Sequence, residues 1–100
     1  MDRLINWTGK AEDDMEQLIA YWSTISANSA RLQIQRIFDK IDLIYAFPRS
    51  GRVVPEMGHP NIREHIVGYY RLVSYIVSEQ QIDLLLLHHS LRPLEMNDFN

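Results

Sequence analysis

The stretch that decides the fold is residues 62–89, IREHIVGYYRLVSYIVSEQQIDLLLLHH. It contains three runs rich in β-branched and aromatic residues, the composition typical of strands: 62–67, 69–77 and 82–89. Gly68 separates the first two runs and residues 78–81 separate the last two, and connections this short predict antiparallel neighbours. Residues 82–87 are apolar at almost every position, so this strand is expected inside the sheet with both faces covered.

Two amphipathic helices are predicted upstream of this sheet. The first follows Thr8, a candidate N-cap, and carries apolar residues at spacings of four and three: Ala11, Met15, Leu18, Trp22 and Ile25. Residues 26–29 break the pattern, and a second stripe then repeats the spacing: Ala30, Ile34, Ile37, Ile41 and Ile44. Because the turn is short, the two helices are expected to form an antiparallel hairpin, which ends at Pro48 and Gly51.

The predicted fold class is α+β. A strand at residues 3–7 precedes the helical hairpin, and a twisted, mostly antiparallel sheet that starts with a short strand at 53–54 follows it. The hairpin is expected to pack against the sheet around one core. Residues 1–100 are predicted to form one domain, in which residues 93–100 are a flexible tail.

Composition restricts the class of protein. The formal net charge is −3, whereas proteins held mainly by phosphate contacts usually have a basic domain. The chain has no cysteine, so neither a disulfide framework nor a thiolate metal site is expected, and no cofactor or metal is predicted. The sequence shows neither a secretory signal nor an apolar run long enough to span a bilayer, which predicts a cytoplasmic protein without a membrane partner.

Arginine and histidine recur among the apolar residues of the C-terminal half. They stand in the segments Gly51-Arg52, Ile62-Arg63-Glu64, Tyr70-Arg71-Leu72 and His88-His89-Ser90-Leu91-Arg92. A charge in a strand loses hydration on folding and needs a partner or a wet face. Several on adjacent strands therefore predict a polar face of the sheet, suited to anion handling or partner recognition.

These residues, in this order, resemble the RelE/ParE toxins of bacterial type II toxin–antitoxin modules. The resemblance covers residues 3 to about 94 and runs from a strand and a helix pair to four motifs: Gly-Arg-x-x-Pro-Glu, Ile-Arg-Glu, Tyr-Arg-Leu-Val-x-Tyr and a final strand ending in His-x-x-x-Arg. It implies the family's fold and a protein antitoxin. RelE-like members cut messenger RNA in the ribosome, whereas ParE-like members poison DNA gyrase and are not known to need a catalytic site.

If the chain is a nuclease, the resemblance assigns it three catalytic residues. Glu56 matches the general base, Arg71 the strand arginine, and His89 the terminal acid. An imidazole suits such an exchange because its unperturbed pKa is near neutrality. The remaining cations are candidates for phosphate or partner contacts: Arg52, Arg63 and Arg92.

Three departures favour the ParE-like branch. Ser90 stands beside His89 where a tyrosine would be expected, lysine occurs only as Lys10 and Lys40 in the helical half, and the acidic balance repels ribosomal RNA. The preferred hypothesis is a gyrase inhibitor neutralised by an antitoxin. A ribosome-dependent endoribonuclease and a non-toxic relic that binds antitoxin are the alternatives. A homodimer or a hetero-oligomer with antitoxin is expected, and five aromatic residues are candidates for that surface: Trp7, Trp22, Tyr21, Tyr69 and Tyr75.

Each candidate also has a structural interpretation. Glu56 is expected to pair with Arg52 or Arg63, and Arg71 with Glu64. His88 and His89 are consecutive on a strand, so they face opposite ways and cannot both serve one site. Two further histidines and one tryptophan have non-functional interpretations: surface positions for His59 and His65, and core packing for Trp22.

Overall fold

The computed structural model of the chain describes residues 2–90, 92 and 94–99, with the backbone alone for Met96. The elements in chain order are β1 (Leu4–Trp7), α1 (Gly9–Ser23), α2 (Ala27–Ala46), β2 (Arg52–Val53), β3 (Ile62–Val67), β4 (Tyr70–Ser78), β5 (Gln81–His89) and a 3-10 helix (Met96–Phe99). The prediction of an α+β fold that begins with a strand is confirmed.

The helix break lies slightly earlier than predicted. The Thr8 hydroxyl caps α1 by accepting the Ala11 N–H, as expected. Ser26, by contrast, is the N-cap of α2 and accepts the Ser29 N–H at 2.9 Å, so the second helix begins at Ala27. Ile25, predicted on the apolar stripe of the first helix, instead lies in the connecting turn and is exposed.

The five strands form one sheet in the order β1-β5-β4-β3-β2. β1 runs parallel to β5, and the other neighbours are antiparallel. The mostly antiparallel sheet and the interior position of β5 are therefore confirmed. Pairing of β1 with β5 ends at Trp7 opposite Leu84, so β5 continues for five residues past the last paired position of its neighbour.

Both faces of the sheet carry a cluster of buried apolar residues. On one face α1 and α2 pack over a large cluster that includes Leu18, Ile37, Leu72 and Leu84. On the other face lies a smaller cluster of Val54, Ile62, Val73, Leu86 and Leu94, with Phe99 against it. The expectation of a single core is wrong, because the segment after β2 and residues 94–99 cover the second face.

At two positions the backbone conformation or the packing requires glycine. Gly68 has φ +58° and turns β3 back into β4. Gly51 lies where a Cβ atom would come 2.4 Å from the Glu64 carbonyl oxygen and 2.7 Å from His65 Nδ1. Its function is thus close approach to β3. The helix-ending role predicted for Gly51 is wrong, because α2 ends five residues earlier, at Ala46, with Phe47 as its C-cap.

The predicted flexible tail stays a prediction. Within residues 93–100, the structure describes 94–99, and in it Leu94 is 4% exposed. Pro93 and Asn100 lie outside the described residues.

Candidate functional site

Arg71 is the centre of a charged network on the sheet face opposite the helices. Its Nη1 and Nη2 each donate to one oxygen of Glu56 at 2.8 Å, and its Nε donates to Glu64 Oε2 at 2.6 Å. Nη2 also ion-pairs with the same Glu64 oxygen. Arg71 is 7% exposed, so all three of its nitrogens meet carboxylates largely away from water.

The strands and the turn after β2 explain why these groups meet. Arg71 lies opposite Ile66, two residues from Glu64 on the same face of β3. Glu56 follows Val54, which is fully buried, and the backbone turns here with Met57 and Gly58 bonding back to the Val54 carbonyl. The carboxylate of Glu56 is thereby held over the guanidinium of Arg71.

Arg52 completes the network. Its Nε donates to Glu64 Oε1 at 2.5 Å, while its side chain is 66% exposed. Glu64, with a side chain only 1% exposed, is therefore shared by two arginines. The four side chains Arg52, Glu64, Arg71 and Glu56 carry two charges of each sign, and the buried charges are compensated as a low dielectric requires.

The network changes the protonation of its members. The hydrogen bonds from Arg71 lower the pKa of Glu56 to about 2, against an ordinary 4.5, although burial opposes the shift. The same hydrogen bonds raise the pKa of Arg71 above its ordinary value. Glu56 is consequently a stable carboxylate at neutral pH and a weak base.

The two consecutive histidines face opposite sides of the sheet, as predicted. His88 lies opposite Arg71 and is buried; its Nε2 donates to the Arg92 carbonyl oxygen at 3.0 Å, and its Nδ1 lies 3.4 Å from Arg92 Nη2. His89 lies opposite Tyr70 on the helical side, with ring centroids 5.9 Å apart. Glu56 and Arg71 thus come together, whereas His89 lies on the other face.

The three arginines predicted as phosphate or partner contacts lie in different places. Arg52 belongs to the network just described. Arg63 points to the helical side and holds the preceding loop, donating to the carbonyl oxygens of Pro60 at 2.8 Å and Gly51 at 3.1 Å. Arg92 is exposed and lies at the end of the sheet near both histidines. Arg52 and Arg63 therefore lie on opposite faces of the sheet and do not share one surface.

Glu64 is a network residue that the sequence did not mark as a candidate for function. It was expected only as a structural partner of Arg71, and that pairing is confirmed. The pairing predicted for Glu56 with Arg52 or Arg63 is wrong, since Glu56 pairs with Arg71. The signal was present: a two-residue turn at Gly68 and Tyr69 places positions 64 and 71 diagonally across the hairpin.

Two other predictions concern histidines. His59 is exposed, as expected, with its ring edge-on to Tyr75 at 6.0 Å. His65 was expected at the surface but is 8% exposed, because the loop at Gly51 covers it and Ser50 Oγ lies 2.9 Å from its Nε2. Burial, together with the charge of Lys40, lowers the pKa of His65 below its ordinary 6.5.

Trp22 is only half-buried. It packs against the larger cluster, as predicted, but its Nε1 donates to the Tyr70 hydroxyl at 3.0 Å and one face of its ring stacks on Tyr69. Tyr21 touches the same indole edge-on. The tryptophan therefore joins the core to an exposed aromatic surface.

Two structural features are absent from the described residues. Within residues 2–90, 92 and 94–99, no three histidine or carboxylate side chains gather in a way that could hold a metal ion. Across the same part of the chain, no helix combines the length and the apolar character needed to cross a membrane.

The fold and the sequence were compared with known proteins. The family model of the ParE toxin of type II toxin–antitoxin systems, parDE, matches residues 5–93. A chain of the chromosomal ParDE toxin–antitoxin system from P. aeruginosa is similar in structure, with a TM-score of 0.70 at 16% identity over 87% of this chain and 95% of that one. At this identity the likeness shows the fold alone. No curated protein matches in sequence. Because the family model spans most of the chain, the protein belongs to the ParE toxin family.

Proposed function

We propose that this toxin inhibits DNA gyrase and that a cognate antitoxin neutralises it. The family match supports the toxin class. The observation that carries the choice of mechanism is the closed network of Arg71, Glu56 and Glu64, which favours a binding protein over a nuclease.

The network disfavours each step of metal-free RNA cleavage. A phosphate-stabilising arginine must direct N–H groups at the reacting phosphorus group, but the N–H groups of Arg71 are directed at two carboxylates. A general base works best when its pKa lies near the working pH, whereas the pKa of Glu56 is about 2. His89 lies across the sheet from both.

The gyrase hypothesis is tested with purified protein in a supercoiling and DNA-cleavage assay. Wild-type protein at micromolar concentrations is expected to inhibit supercoiling and to accumulate cleaved plasmid. Glu56→Gln and His89→Gln are the informative variants, because neither substitution alters a residue of the two apolar clusters and Arg71 keeps its contact with Glu64 in Glu56→Gln. Both variants are expected to retain inhibition and growth arrest.

The nuclease alternative predicts a different pattern in the same variants. Glu56→Gln would remove the base and His89→Gln the acid, so translation arrest with cleaved messenger RNA in the wild type and its loss in both variants would overturn the gyrase proposal. If the folded protein binds antitoxin but causes no growth arrest, the third hypothesis, a non-toxic relic that binds antitoxin, would be supported instead.

Exposed apolar residues on the helical hairpin support the proposed antitoxin contact. Leu32 and Leu43 stand on α2 about three turns apart, which places them on one side of the helix, with 49% and 37% of their surfaces exposed. An amphipathic helix or extended segment of a partner would bury them. Leu32→Asp and Leu43→Asp are expected to weaken antitoxin capture at least tenfold, whereas Ser23→Asp on the other helix is the matched control. Light scattering of the pair gives the stoichiometry and distinguishes a homodimer from a hetero-oligomer.

A further inference from the structure

A groove runs between α1 and the end of β5, on the opposite side of the sheet from Arg71. β1 pairs with β5 only as far as Leu84, and α1 takes the place of a neighbouring strand beyond that point. The Thr8 hydroxyl donates to the Leu84 carbonyl at 2.7 Å, and Asp14 Oδ2 accepts the Leu87 N–H at 3.0 Å. This role explains why Asp14 is only 9% exposed although it stands in the acidic run Glu12-Asp13-Asp14.

The walls of the groove come from one stripe of α1 and from the ends of β4 and β5. Lys10, Asp14, Gln17 and Tyr21 recur along α1 at spacings of four, three and four, which places them on one side of the helix. Two adjoining concavities of about 270 and 470 Å³ share Tyr70 and His89. The groove is continuous through those two shared residues.

One end of the groove is an exposed aromatic shelf. Trp22 stacks on Tyr69 with ring centroids 5.7 Å apart and 23° between the planes, and Tyr21 meets the indole edge-on at 5.4 Å. Tyr21 is 59% and Tyr69 51% exposed, so flat ring surfaces face solvent beside a hydrogen-bonded indole. Such a shelf suits a planar ligand, since every base has a π-face that stacks on aromatic side chains.

The other end of the groove carries a positive charge excess. Lys10 and Arg92 line it with His89, and Asp14 is the one carboxylate among its lining residues. Both oxygens of Asp14 are engaged, one by Lys10 at 2.5 Å and the other by the Leu87 N–H. An anionic group entering here meets Arg92 and a Lys10 ammonium that is already paired with Asp14, so the formal excess is one positive charge.

We infer that this groove binds a nucleotide, with the base on the Tyr69–Trp22 shelf and the phosphate near Lys10 and Arg92. An aromatic shelf beside a cationic pocket favours a ligand that is planar at one end and anionic at the other, which excludes a purely apolar peptide. The same chemistry occurs in a free nucleotide and in a single-stranded nucleic acid. The inference does not depend on whether gyrase or the ribosome is the target.

The test measures binding by the purified full chain. AMP and dTMP represent free nucleotides and are followed by quenching of Trp22 fluorescence in a Trp7→Phe background; a labelled octathymidylate represents single strands and is followed by anisotropy. Equal affinity for dTMP and the octamer identifies a free-nucleotide site, and a tenfold or greater preference for the octamer identifies a single-strand site. Absence of binding by all three at millimolar concentrations overturns the inference.

Variants locate the ligand within the groove. Tyr69→Ala removes an exposed ring and is expected to weaken binding about 5- to 150-fold, the range found for loss of one stacking partner. For the octamer, Arg92→Gln is expected to reduce the slope of log K against log salt by about 0.7, the value for one phosphate contact on a single strand. Tyr69→Leu, which keeps apolar bulk, separates stacking from folding.

Matched controls come from a separate concavity of about 760 Å³ at the far end of β4, lined in part by Phe47 and Arg49. Phe47→Ala and Arg49→Gln also remove an exposed ring and a cation, and they are expected to leave binding unchanged. Affinity that falls equally in the controls, or that is unchanged in Tyr69→Ala and Arg92→Gln when circular dichroism shows folded protein, overturns the inference.

Discussion

Glu64 is the residue whose removal tests the charged network most directly. Its side chain is 1% exposed and accepts hydrogen bonds from Arg71 at 2.6 Å and from Arg52 at 2.5 Å. Glu64→Gln preserves the shape of the side chain but removes its charge and replaces one acceptor by an amide donor. Arg71, which is itself buried, is then left with Glu56 as its partner carboxylate.

The expected loss is large. Breaking a buried ion pair from one side typically costs about 3–5 kcal/mol, because a charge stays buried without compensation. Arg71 retains two hydrogen bonds to Glu56, so the lower end of about 3 kcal/mol is expected. For a domain of this size, each kcal/mol lowers Tm by about 4–8 °C, which predicts a decrease of about 12–24 °C.

Urea denaturation followed by circular dichroism measures this free energy of unfolding, with thermal melts beside it. Glu79→Gln is the matched control, because Glu79 is an exposed glutamate in the β4–β5 turn and such surface changes stay within about 0.5 kcal/mol. The double variant Glu64→Leu with Arg71→Met is expected to recover much of the loss, since a well-packed apolar pair often replaces a buried ion pair without cost.

Two results would contradict this interpretation of the network. One is a Glu64→Gln protein as stable as Glu79→Gln, which would mean that the buried charge of Arg71 needs no second carboxylate. The other is a double variant no more stable than Glu64→Gln alone, which would place the loss in packing rather than in the uncompensated charge.

Three further predictions concern acid sensitivity and close packing. The pKa of Glu56 is lower in the folded protein than its ordinary value, so the stability that the Glu56 carboxylate contributes is complete above pH 4.5 and is lost as the pH falls towards 2. In Glu56→Gln the free energy of unfolding should therefore fall by about 1 kcal/mol less over this pH range, a value discounted for the exposure of Glu56. Urea titrations at each pH measure the difference. The lowered pKa of His65 means that the unfolded chain binds its proton more readily, so stability should fall below pH 6.5 by up to about 1.4 kcal/mol per pH unit, and His65→Gln should flatten this slope. Gly51→Ala puts a Cβ 2.4 Å from the Glu64 carbonyl oxygen and should cost about 1–3 kcal/mol, whereas Gly9→Ala, with open space around it, should be neutral or stabilising in thermal melts.

The sequence predicted the elements well where periodicity was long. The stripe through Ala30, Ile37 and Ile44 predicted α2, and the runs on either side of Gly68 predicted β3 and β4. It failed where a local pattern continued past a change of structure. Ile25 keeps the apolar spacing of the first helix, but α1 ends at Ser23 and Ser26 caps the start of α2, so Ile25 lies in the turn between the two helices.

The site was predicted in part. Alternation along a strand separated His88 from His89, since successive side chains point to opposite faces. The pairing of Arg71 with the carboxylate of Glu64 was also predicted from the sequence. The identity of the partner of Glu56 was not, because that contact depends on how the loop after β2 folds back on the sheet.

The sequence by itself determined the fold class, the order of its elements and the family, because periodicity, turn residues and motif order are local properties. The tertiary structure decided what the charged residues do. It joined Arg71 to two carboxylates, buried His65, and placed His89 in an aromatic groove on the far side. The physical reason is that pairing and burial depend on strand register and on which segment covers each face, and both are set by contacts between residues distant in the chain.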